Sequence, residues 1–142
     1  MSLTLFRDAG YYPGLGLALS SLANLSRAEG DYAQAEDLFR ESLTVDAGFQ
    51  DRRTASHRLW FWGILEARSG AHDRGVRLLS AGARHGVYGT SLYPADREDA
   101  EAALAAARSA LGEEAFARAW AEGREMSLEQ AVEHALGRDN GG

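Results

Sequence analysis

Four histidines, His57, His72, His85 and His134, and 21 acidic residues are the side chains from which this sequence could assemble a metal site, since it has no cysteine. No pair of the histidines has the spacing that puts two ligands on one helical face in a known pattern, so no metal is expected. Asp96, Glu98, Asp99 and Glu101, and further on Glu113 and Glu114, could supply paired carboxylates for acid–base work. They fall at the starts of predicted helices, where acidic residues complement the positive end of the helix dipole, and are read as structural. Gly10, Gly14 and Gly16 precede a helix that could hold an anion at its N-terminus. A dinucleotide site needs a preceding strand and a phosphate loop needs Gly-Lys-Ser/Thr, so the glycines are read as a linker turn. No serine lies in Gly-x-Ser-x-Gly. All 15 basic residues are arginine, which removes Schiff-base chemistry along with thiolate chemistry. The expectation is a protein without catalytic residues or cofactor.

The aromatic triplet Trp60-Phe61-Trp62 is the strongest remaining signal, because successive helical residues point about 100° apart and cannot all enter one interface. The elements that position it are helices throughout. Leu15, Ala18, Leu19, Leu22 and Ala23 form one apolar stripe that stops at Gly30, and Tyr32, Ala35, Phe39 and Ser42 form the next, with Asp31 as its cap and Gln34 as the cap's partner. Leu59, Trp62, Gly63 and Glu66 lead to Gly70; Val76, Leu79 and Ala83 lead to Gly86. The stretch from Val87 to Pro94 breaks the periodicity. Beyond it Asp96 can cap a helix carrying Ala100, Leu104, Ala107 and Leu111 that stops at Gly112. Phe116 and Trp120 mark another helix, and Ser127-Leu128-Glu129-Gln130 reads as a capping box opening a last one.

Gly30 and Gly70, Leu22 and Trp62, and Phe39 and Leu79 are each 40 positions apart, so the helix pairs read as copies. Asp8-Ala9-Gly10 recurs as Asp46-Ala47-Gly48 at a spacing of 38. Leu19-x-x-Leu22-Ala23, Gly30-Asp31-Tyr32 and Ala35-x-x-x-Phe39 resemble the tetratricopeptide repeat. The second copy reads Leu59-x-x-Trp62-Gly63, Gly70 and Gly75-x-x-x-Leu79. It departs from the family with Glu66 in place of an aromatic and His72 in place of tyrosine, while Ser26 replaces the aromatic in the first copy. The small residues Ala23 and Ala35 are expected where paired helices approach most closely, with Leu19, Leu22 and Phe39 filling the wedge. The C-terminal run through Leu111-Gly112-Glu113-Glu114-Ala115-Phe116 and Trp120-Ala121-Glu122-Gly123-Arg124 is similar to the ends of large bacterial regulators, in which a signal-transduction ATPase module precedes tetratricopeptide-like repeats. That resemblance implies a sensor or scaffold arm, with any DNA-binding or nucleotide-cyclase domain lying elsewhere.

The expected fold is therefore all-α, a right-handed superhelical array of antiparallel helix hairpins with a C-terminal helical cap. Residues 1–13 would be an incoming half-repeat and linker, 14–47 the first repeat, 51–86 the second and 95–138 the cap, in a single domain that begins inside a repeat. The inner wall of such an array would receive Leu17, Ser20, Ser21, Asn24 and Arg27 from one copy and His57, Trp60, Phe61, Ile64 and Arg68 from the other. It is read as a groove for a protein or peptide, the arginines pairing with its carboxylates. The alternative, that C-terminal helices cover Trp60 and Phe61, stays open at this point. A pocket near His85, Tyr88 and Tyr93 in a small-molecule sensor or enzyme is the rival function. Apolar surface around Leu3, Leu5 and Phe6 makes a homodimer a further expectation. A formal charge of -6 argues against direct nucleic-acid contact and against an anionic membrane surface. No apolar run approaches a membrane span and no leader is evident, so the protein is read as soluble and cytoplasmic.

Overall fold

The computed structural model describes residues 15–45, 52–85 and 94–137, and all regular structure among them is helical. The expected half-repeat at 1–13, the Asp46-Ala47-Gly48 tripeptide, and Tyr88 and Tyr93 lie outside the described residues. Seven helices are described: α1 Leu15–Ala28, α2 Tyr32–Val45, α3 Arg52–Arg68, α4 His72–His85, α5 Pro94–Leu111, α6 Glu113–Glu125 and α7 Leu128–Ala135. The chain divides into two compact units, Met1–Gln50 and Asp51–Gly142.

The first unit holds the α1–α2 hairpin. Gly30 ends α1 at a φ of 85°, a left-handed conformation that costs glycine little. Its N–H donates to the Arg27 carbonyl at 3.0 Å and the Asp31 N–H to the Ser26 carbonyl at 2.9 Å, which closes the helix end in a Schellman arrangement. Asp31 then accepts from the Gln34 N–H at 3.3 Å, capping α2 as its sequence position suggests. Leu19, Ala23, Ala35 and Phe39 are wholly buried, and the Ser42 hydroxyl donates to the Gly16 carbonyl across the open end of the hairpin. Leu22, expected in the wedge, is instead 40% exposed, and Leu25 on the same face is 55% exposed.

The second unit opens with the same hairpin. At Gly70, φ 106°, the Ala71 N–H donates to the Glu66 carbonyl at 2.8 Å and the Gly75 N–H to the Ala71 carbonyl at 2.9 Å. These bonds sit 40 positions after Asp31 to Ser26 and Ala35 to Asp31. Close approach is tighter here, because glycines replace the alanines of the first hairpin. A Cβ built on Gly63 would stand 2.8 Å from the Leu79 backbone nitrogen, and one on Gly75 would stand 2.6 Å from that of Ala67.

The remaining helices wrap this second hairpin. α5 runs from Pro94, which suits the first helical position, so Asp96 lies in its first turn rather than capping it. Ala100 and Ala103 of α5 seat against Trp60, Ile64 and Ala67 of α3 and Leu79 of α4. Gly112, φ 87°, turns the chain into α6, whose Phe116 and Ala119 close on Val76 of α4 and Ala107 of α5. The box expected at α7 is formed: Ser127 Oγ accepts from the Gln130 N–H at 3.0 Å and Gln130 Oε1 from the Ser127 N–H at 2.9 Å. α4 holds α6 and α7 by their carbonyls. The Ser80 hydroxyl donates to the Trp120 carbonyl at 2.6 Å and Arg84 to that of Arg124. His85 Nε2 lies 2.8 Å from the Met126 carbonyl oxygen, and Arg74 donates to the carbonyls of His134, at 2.9 Å, and Ala135. Helix ends leave four carbonyls without intrahelical partners, and at Arg124 and Ala135 α4 supplies a donor.

Candidate functional site

The residues expected to line an inner groove fall into different environments. In the first unit Ser20 is buried, Ser21 is exposed, and the half-buried Arg27 donates from Nε to Asn24 Oδ1 at 3.4 Å. Leu17 belongs to α1, and its side chain lies outside the described set. In the second unit His57 and Phe61 are half-buried, Trp60 is only 7% exposed and Ile64 is wholly buried. Trp60 meets Phe61 edge to face, with ring centroids 5.2 Å apart. α5 packs on this face, so Trp60 and Ile64 offer no open surface, while Phe61, named with Trp60 in the covered alternative, stays half-buried. Small Ala100 and Ala103 let α5 approach closely enough to pack there. Arg68, assigned to a partner's carboxylate, pairs with Asp99 of α5 at 2.9 Å.

Trp62 packs inside the unit, with a polar environment that repeat spacing alone does not predict. Its indole N–H donates to Glu66 Oε1 at 2.9 Å, and Arg74 reaches Glu66 Oε2 from Nε at 3.5 Å while lying 5.6 Å over the Trp62 ring. Glu66, the residue that departs from the family pattern, is thus a buried carboxylate with two donors. Burial also draws the Arg58 guanidinium down from the usual arginine range to about 10, leaving it charged at neutral pH.

Of the carboxylates considered for catalysis, Asp96 lies in the first turn of α5 and others form ion pairs, while Glu101 stands exposed further along α5. Besides Asp99, Glu113 pairs with Arg108 at 3.2 Å and Glu114 approaches Arg118 at 3.9 Å. Among the described residues no three His, Asp or Glu side chains gather in a way that could hold a metal. His85 of the rival pocket is engaged with the Met126 carbonyl.

Among the described residues, the second unit carries surface troughs in two places. One, of about 560 Å³, lies between α6 and α7 along Glu122, Glu125, Met126, Glu129, Gln130 and Glu133. The other, of about 400 Å³, lies between α5 and α6 and is lined by Glu101, Leu104, Ala105, Arg108, Phe116 and Trp120. Its floor is apolar, with buried Phe116 and half-buried Leu104 and Trp120, and Ala105 stands exposed on its rim. The Arg108 guanidinium sits 4.5 Å over the Phe116 ring. Sequence reasoning missed this trough. Its signal was the α5 stripe Glu101, Leu104, Ala105 and Arg108 at i, i+3, i+4 and i+7.

No family model matches the chain, and no solved structure matches it. It is similar, at 31% identity over 127 residues, to proteins from Mycobacterium bovis and Mycobacterium tuberculosis provisionally named HTH-type transcriptional regulators. The match takes in 84% of this chain and 14% of each relative, so the chain spans about one seventh of their length. This similarity overturns the exclusion of nucleic acid drawn from the net charge. A charge of -6 describes the field of this segment, and a regulator seven times longer carries its own distribution. No described helix is long and apolar enough to cross a membrane.

Proposed function

We propose that this chain is a regulatory arm of a longer bacterial transcriptional regulator and that it acts by holding protein, without catalysis. In this reading its hairpins are of the tetratricopeptide-like class and stack as a right-handed array, the longer protein regulates transcription in the cytoplasm, and this segment supplies a protein contact to it. The observation that carries the reading is the match itself: an all-helical segment, similar over most of its length to one seventh of proteins named as regulators. The α5–α6 trough supports it, since an apolar floor with charged ends suits protein recognition, while Asp99, Glu113 and His85 are engaged in internal contacts.

The test is capture of partners from a bacterial lysate by the tagged chain, with identification by mass spectrometry and titration of each purified candidate. A protein that binds saturably supports the reading. A chain that binds no protein saturably, or that turns over a small molecule, removes it.

A further inference from the structure

We infer that the trough between α5 and α6 receives an amphipathic helix of a partner protein, one that carries an acidic and a basic residue two turns apart with apolar residues between them. The inference rests on the protein-holding reading above and names the partner's chemistry.

Glu101, Leu104, Ala105 and Arg108 lie on one stripe of α5, and seven residues of helix set the two charged positions about 10.5 Å apart along its axis. Arg108 is held at its end by two contacts, the Phe116 ring at 4.5 Å and Glu113 at 3.2 Å. Glu101 stands exposed at the other end, and Leu104, Phe116 and Trp120 form the floor between them. A ligand matching this pattern needs opposite charges about 10.5 Å apart on one face, with apolar groups midway. An α-helix offers that at i, i+3, i+4 and i+7. An extended strand repeats on one face at about 6.7 and 13.4 Å and misses the spacing.

The unit already contains a helix seated on a helical hairpin. α5 lies on α3 and α4 through Ala100 and Ala103, placing small residues where helix meets hairpin. α5 and α6, joined through Gly112, form the next hairpin along, and exposed Ala105 occupies its rim as Ala100 and Ala103 occupy the buried contact. The partner helix therefore lies along α5 with its acid facing Arg108, which it shares with Glu113, and its base facing Glu101, and the two opposite charges set its direction.

The probe is a pair of synthetic helical peptides of equal length, one with Glu at i, Leu at i+3 and i+4 and Arg at i+7, the other with Glu at both i and i+7. Binding to the full chain is read by the emission of Trp120, identified with a Trp120→Phe control, and by calorimetry. The expected result is that the Glu/Arg peptide binds at least fivefold more tightly than the Glu/Glu peptide and that Glu101→Arg reverses the preference. Ala105→Arg, a rim change with unchanged circular dichroism, weakens the Glu/Arg peptide at least tenfold. Absence of peptide binding up to millimolar concentration, binding indifferent to Ala105→Arg, or a preference that Glu101→Arg leaves in place overturns the inference. Where a captured protein partner still binds the Ala105→Arg chain at full strength, the helix-in-trough inference fails and the protein-holding reading stands.

Discussion

Glu66 shows how one side chain can look like an error in a repeat and be necessary to it. A buried carboxylate without donors is costly, and here Trp62 and Arg74 supply them while Arg74 also reaches the last carbonyls of α7. Arg74→Ala should therefore cost about 2–3 kcal/mol, because it strips a donor from Glu66 and uncaps α7 together. Urea unfolding followed by tryptophan emission measures this, and Glu66→Gln, which still accepts from Trp62, should cost less than half as much. Arg58 gives a prediction with the opposite dependence on its charge. Its folded value lies at about 10, below the usual arginine range, so from about pH 10 upward the unfolded chain binds the extra proton and stability rises with pH. Arg58→Met lacks that rise. The gap between the urea midpoints of variant and parent should shift toward the parent on going from pH 9 to pH 11, and an unchanged gap would show that Arg58 does not titrate with folding.

The elements were legible where local chemistry decides them. Gly30, Gly70 and Gly112 punctuate the hairpins, Asp31 caps α2, and Ser127 with Gln130 opens α7, each by bonds among neighbouring residues. What covers Trp60 was not legible, since a repeat register says which residues share a face and nothing of what lies on it. Ala100 and Ala103 carry little hydrophobic signal, yet their small size lets α5 close over Trp60 and Ile64. Leu22 was misplaced for a related reason: spacing equates it with the wholly buried Trp62, but the two hairpins pack different neighbours on that face. The same contrast predicts how the copies answer a shared substitution. Ala35 is the first hairpin's equivalent of Gly75, and in an ordinary helix Gly→Ala stabilises by up to about 1 kcal/mol. Gly75→Ala should instead destabilise by about 1–3 kcal/mol, because the new methyl meets the Ala67 backbone, which cannot swing aside. A lowered thermal midpoint with unchanged helix content is the expected outcome.

On the scale of the whole molecule, Asp51–Gly142 contains a complete set of packed faces of its own. Trp60, Ile64 and Leu79 lie under α5, Val76 lies under α6, and Leu128, Ala131, Val132 and Ala135 of α7 are buried. Expressed alone, residues 51–142 should show the near-ultraviolet dichroism of fixed tryptophans and unfold cooperatively in urea; a featureless spectrum would refute the autonomy of this unit. The carbonyl-holding side of α4 has a bearing on synthesis. Arg74 waits for His134 and Ala135, 60 and 61 positions downstream, and Ser80, Arg84 and His85 wait for partners 40 or 41 positions on. At translation speeds of about 5–20 residues per second, Arg74 is made roughly 3–12 s before its acceptors exist. During that interval Arg74, Ser80, Arg84 and His85 have no acceptors to close on, a brief window in which a nascent-chain chaperone would find its footing.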